Sequence, residues 1–147
     1  MIAVDTNLLV HAHRADSQFH EAARNAMRAL AESRSPWSIP WPCVHEFLAI
    51  VTHPRIFDPP TLAAHAIAQL RAWMRSGGVQ MLGELPDHLD TLAELLEASK
   101  VAGARIHDAR IAALCTAHGV TELWTSDRDF SRFTQVKTRN PLVAGSR

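Results

Sequence analysis

The chain has 147 residues, 47% hydrophobic and 20% charged, with 15 Lys or Arg balanced by 15 Asp or Glu. That length suits one domain with a sizeable core, and the composition excludes an intrinsically disordered chain. Zero net charge excludes nucleic-acid binding driven by a globally basic surface, and no stretch approaches the roughly 18 uninterrupted apolar residues of a membrane span.

The first ten residues, Met1 to Val10, run three apolar side chains into Asp5 and resume apolar character after Thr6 and Asn7. A strand without amphipathic alternation reads as a central parallel strand buried on both faces, with Asp5 at its carboxyl end. Ligand crevices of open α/β sheets lie at that edge, although an aspartate there equally suits the N-cap of the next helix. A charge this early, with no basic segment before it, is unlike a signal peptide, so the expected location is the cytoplasm. Cys43 and Cys115 are far apart and lack metal-ligand spacing, which reads as two buried thiols.

A short helix is predicted over 8–12, with His11 and His13 as an exposed pair at its exit. A second is predicted over 17–33, carrying Phe19, Ala22, Ala23, Ala26, Met27 and Leu30 on one face. Residues 37–39 suit a short strand. Residues 41–51 form a third helix with Pro42 in its first turn. Glu46 interrupts that apolar segment with no basic residue within four positions, so it is either exposed, paired at long range, or metal-bound. A helix over 61–76 ends at Gly77-Gly78, a strand covers 79–82, and a leucine-striped helix covers 87–99. After a loop at 102–106 comes an alanine-rich helix over 107–118 with Asp108 in its first turn, where the helix dipole favours a carboxylate. A strand at 122–125 leads into Ser126-Asp127-Arg128-Asp129, a short helix begins near Phe130, and 136–138 suits a last edge strand. Alternation of strand and helix predicts one α/β domain over 1–142, a central parallel sheet flanked by helices on both faces, with a short tail over 143–147.

If the first and fourth strands are neighbours, Asp5 and Asp127 share one crevice, and helices leaving that edge can add Glu46 and Asp108. Four carboxylates so placed repel one another, and oxygen-only ligation suits Mg²⁺ or Mn²⁺ rather than zinc. Such a centre can activate water for attack on a phosphodiester, and a second ion could stabilise the leaving oxygen.

Four segments, IAVDTNLLVHA, CVHEFLAIVTHPR, IHDARIAALCTAHGV and LWTSDRDFSRF, occur in this order along nearly the whole chain. Together they resemble the PIN-domain toxin ribonucleases of the bacterial VapC type, from type II toxin–antitoxin pairs. The resemblance implies a Mg²⁺-dependent endoribonuclease with Asp5, Glu46, Asp108 and Asp127 as the catalytic, metal-binding acids. It also implies hydrogen-bonding support from Thr6 and Ser126, an RNA substrate such as tRNA or rRNA, a cognate antitoxin across the cleft, and a homodimer. Asp129 matches a further acidic position that binds metal, directs a water or caps the short helix. Asn7 is expected to bond local backbone.

The basic residues are unevenly placed: residues 1–100 hold 8 Lys or Arg against 11 acids, and residues 101–147 hold 7 against 4. Arg105, Arg110, Arg128, Arg132, Lys137 and Arg139 are thus candidate phosphate contacts. Competing chemistries lack their signatures. His45-Glu46 has Ala49 where a zinc-protease helix needs its second histidine, and no glycine-rich phosphate loop is present. The four tryptophans are scattered and read as core or interface. A metal-dependent phosphatase would need an aspartate where Asn7 stands. A PIN-fold RNA-binding regulator without catalysis is the remaining alternative.

Overall fold

The structure, a computed structural model, describes residues 1–143. Its elements alternate as the sequence predicts: β1 (Ile2–Val4), α1 (Thr6–His13), α2 (His20–Glu32), β2 (Trp37–Pro40), α3 (Trp41–Val51), α4 (Ala63–Met74), β3 (Val79–Leu82), α5 (His88–Ser99), α6 (Ile106–Ala117), β4 (Glu122–Trp124) and β5 (Thr138–Arg139). All strand pairings are parallel, in the order β3-β2-β1-β4-β5, so β1 is central. Because the order turns back at β1, right-handed crossovers send the first four helices and the last two to opposite faces. The packing agrees: α1 lies on α2 and α3, α3 on α4, and α5 on α6. The reversal also opens a crevice between the carboxyl ends of β1 and β4.

Apolar periodicity explains most of the core. Leu8 and Leu9 of α1, Trp37 and Ile39 of β2, Phe47 of α3 and Leu123 of β4 are almost fully buried. Helix α6 buries Ala109, Ala112 and Ala113, whose small side chains allow the close approach of neighbouring elements. The leucine stripe of α5 is uneven: Leu95 enters the core, Leu92 and Leu96 pack against it, and Leu89 is 76% exposed. Both cysteines are free and buried.

Several boundaries shift for local reasons. Helix α1 starts at Thr6, two residues early, because the backbone is already extended at Asp5 and turns helical immediately after it. The loop over 102–106 contains a 3-10 turn, Gly103–Arg105, which feeds directly into α6 at Ile106. A second 3-10 turn, Arg128–Arg132, starts before Phe130 because Asp127 caps it from outside. Strand β5 is displaced to Thr138–Arg139, where Thr138 pairs Leu123 and Arg139 pairs Trp124. Of the expected tail over 143–147, only the exposed Val143 falls within the described residues, and the remainder lies outside them.

His11 and His13 are not an exposed pair. His11 Nδ1 hydrogen-bonds Ser17 Oγ at 2.6 Å, with its ring edge-on to Phe19. The His13 ring bridges Gln69 Oε1 and Thr61 Oγ1, at 3.2 and 3.1 Å, edge-on to Phe47. They tie α1 to α2 and α4, and burial lowers the pKa of His11.

Candidate active site

Asp5 occupies the N-cap position of α1, but its side chain makes no capping bond. It points instead into a buried knot. Oδ2 accepts from Thr125 Oγ1 at 2.7 Å and from Asn7 Nδ2 at 3.0 Å, while the Cys43 thiol approaches Oδ1 at 3.6 Å. Thr125 Oγ1 in turn accepts from Asn7 Nδ2 at 3.2 Å and from the Asp127 backbone N–H at 3.0 Å. One hydroxyl therefore locks the end of β1 to the turn after β4. Asn7 reaches across the same junction, its Oδ1 accepting the Ser126 N–H at 3.0 Å. The expectation of local backbone bonding by Asn7 is thus corrected: its three bonds go to the Asp5 side chain and to the segment after β4.

Asp5 is 4% exposed. Burial lifts its carboxyl from the ordinary 3.8 to about 6; the Thr125 hydroxyl, the polar N–H of the adjacent Thr6 and the Cys43 thiol pull it down, and the Glu46 charge adds to the rise. Burial, reinforced by the Asp5 charge, holds the Cys43 thiol well above its usual range, so it stays protonated and able to donate.

The other three acids come from the expected elements. Glu46, one face of α3 away from the core, is half-buried, and Thr6 Oγ1 donates to its Oε2 at 2.8 Å. Its long-range partner is a hydroxyl rather than a cation. Asp108, in the first turn of α6, is half-buried, and its pKa is raised first by burial and then by the charges of Asp127, Glu46 and Asp129, with Arg105 opposing. Asp127 accepts the Asp129 N–H at 2.9 Å through Oδ1, capping the 3-10 turn. Asp129 itself is exposed and pairs with Arg105 at 3.1 Å.

These groups therefore sense one another across a single sheet edge: Asp5 with Glu46, and Asp108 with Glu46, Asp127 and Asp129. The donor chemistry fits a hard divalent cation, being carboxylate oxygens whose mutual repulsion a positive charge would relieve. Among the described residues, however, no three His, Cys, Asp or Glu side chains form a ready ligand group. Ser126 joins through its main-chain N–H. Sequence reasoning missed Thr125, and it assigned no role to Cys43 beyond burial. The position of Thr125 at the end of the β4 run was the one available signal.

The candidate phosphate-binding residues divide. Arg105 pairs with Asp129, Arg110 with Glu84 and Lys137 with Glu122. Among the described residues Arg128, Arg132 and Arg139 have no carboxylate partner within 4.0 Å.

Residues 2–135 match the PIN domain family. Ribonuclease VapC43 of Mycobacterium tuberculosis is 32% identical over 142 residues, covering 97% of this chain and 96% of that protein. Two solved structures share the fold. One is VapBC2 from Rickettsia felis bound to a DNA fragment from its promoter, with a TM-score of 0.69 and 18% identity, covering 95% of this chain and 98% of that one. The other is M. tuberculosis VapC20, described as a sarcin–ricin loop cleaving toxin, with a TM-score of 0.64 and 20% identity, covering 89% and 93%. This chain belongs to the PIN-domain family and is related in sequence to the bacterial VapC ribonucleases.

Proposed function

We propose that the protein is a Mg²⁺-dependent endoribonuclease, with Mn²⁺ an acceptable substitute, acting as the toxin of a type II toxin–antitoxin pair in the cytoplasm. The observation that carries this reading is the placement of Asp5 and Asp127 just past the ends of the paired strands β1 and β4, with Glu46 tied through Thr6 to the residue after Asp5, in a chain that aligns end to end with ribonucleases. Asp5, Glu46, Asp108 and Asp127 would hold the cation. When bound, it supplies positive charge to phosphoryl oxygens and lowers the pKa of a nearby water. The chain's own residues do the positioning. The Thr125 and Asn7 knot holds the Asp5 carboxylate, and Thr6 fixes the orientation of Glu46. Asp127 keeps one oxygen on the Asp129 N–H and offers the other. Asp129 steadies the same edge by holding Arg105.

The sequence relationship to ribonuclease VapC43 supports an RNA substrate, and the VapBC structures among the structural neighbours go with a cognate antitoxin. A homodimer belongs to the same reading. Incubated with total cellular RNA and Mg²⁺, the pure protein is expected to produce discrete cuts that vanish with chelator and return with added Mn²⁺. RNA left intact by a protein that Mg²⁺ nevertheless stabilises thermally would favour the non-catalytic regulator.

Thr6→Val frees the Glu46 carboxylate while keeping the side-chain shape. Divalent-metal affinity, read by calorimetry, is expected to fall roughly 10- to 100-fold, as when a residue supporting a ligand is lost. Unaltered affinity would remove Thr6 from the site.

A further inference from the structure

Immediately beside the carboxylates, on the β5 side, lies a cleft of about 210 Å³ whose lining includes Ser126, Asp127, Arg128, Thr138, Arg139 and Asn140, together with the apolar Val143. It is smaller than the roughly 300 Å³ at which pockets for drug-sized ligands begin, and its lining is more polar than apolar. Of the three candidate arginines without a carboxylate partner among the described residues, two, Arg128 and Arg139, line it. Arg139 is also held in place: its guanidinium sits 5.5 Å from the Trp124 ring centroid, and its carbonyl accepts the Thr125 N–H at 2.9 Å. Asn140 uses Oδ1 to accept the Leu142 N–H, which leaves its amide N–H groups as donors. Trp124 is 7% exposed and so offers little face for stacking a base.

We propose that this cleft receives one backbone phosphate of the RNA strand, next to the phosphodiester that is cut, with Arg128 and Arg139 as its charge contacts. The inference rests on the nuclease reading for the identity of the strand. Two guanidiniums outweigh the single Asp127 carboxylate, which marks the end of the cleft nearest the acidic edge. Contacts to phosphate carry no base information, so the cleft adds affinity and sets the strand's path without selecting sequence. Of the six basic residues singled out in the sequence, these two become the substrate contacts.

Anisotropy of a fluorescein-labelled short single-stranded RNA, titrated in chelator so that nothing is cut, tests this directly. Arg128→Gln and Arg139→Gln are each expected to weaken binding roughly 5- to 10-fold. Each should also flatten the slope of log affinity against log salt by about 0.7, the value for one lost single-strand phosphate contact. Arg139→Lys should keep most of the slope. Arg110→Gln, whose arginine is already paired with Glu84, should bind as the wild type does. Thermal melts confirm that each variant folds, and Arg128, exposed on its turn, gives a variant independent of the Trp124 contact. Wild-type slope and affinity in both glutamine variants, or a wild-type protein that does not bind the RNA, overturns the assignment. Cleavage of total RNA with Mg²⁺ is scored separately. RNA bound through the two arginines but never cut defeats the nuclease reading and leaves the subsite. RNA cut with both arginines dispensable does the reverse.

Discussion

Replacing Asp5 with Asn is expected to lower cleavage by roughly 100-fold or more while making the metal-free protein more stable at neutral pH. The two effects have one origin. Asp5 is buried, and its pKa stands at about 6 against an ordinary 3.8, so the folded state binds this proton more tightly than the unfolded state does. Ionising Asp5 therefore costs the fold nothing below pH 3.8. The cost grows as pH rises towards 6 and is complete above it, at about 3 kcal/mol. Asp108, also raised, acts in the same direction.

Three groups act in the opposite sense. A hydrogen bond from Arg14 lowers Asp16. Burial raises Glu84, but its backbone N–H and Arg110 outweigh that. Burial lowers His11. All three are common to wild type and variant, so the difference in Tm between the two isolates Asp5. That difference should be small near pH 4 and fully developed by pH 7. Mg²⁺ should erase it by stabilising the wild type alone. Cleavage by the Asn variant at the wild-type rate, or a Tm difference that does not change with pH, would remove Asp5 from its assigned place.

Thr125→Val is the second substitution with a large expected effect, because one oxygen serves three partners. The replacement nearly preserves shape but strips Asp5 of its shortest hydrogen bond and leaves the Asp127 N–H and one Asn7 contact without a partner. Leaving such groups unsatisfied in a buried setting costs about 1–3 kcal/mol, so the melting temperature should fall by several degrees. Activity should fall roughly 10- to 100-fold through the loosened Asp5 carboxylate. Thr125→Ser, which keeps the hydroxyl, should restore activity ahead of stability. A Val variant with wild-type metal affinity and rate would show that the knot serves folding alone.

Periodicity made the architecture legible before any coordinates. An apolar run without alternation marked β1 as a central strand, helical spacing marked α2, α4 and α5, and Asp5 and Asp127 fell at the carboxyl ends of the strands expected before them. These features are encoded by neighbours a few residues apart, where backbone geometry leaves few alternatives. Hydrogen-bond partners far apart in sequence had no such signal. Asn7 was expected to bond nearby backbone and instead spans β1 and β4. His11 and His13 looked exposed and instead pin α1 to its neighbours. Six basic residues looked equivalent until ion pairs claimed Arg105, Arg110 and Lys137.

The sequence by itself determined an α/β chain with acids at its strand ends and helix starts, because local pattern dictates which element forms and where it stops. Only the tertiary structure decided which polar groups would meet. Thr125 lies 120 residues from Asp5, and their 2.7 Å contact exists because parallel pairing of β1 with β4 brings two distant chain ends side by side.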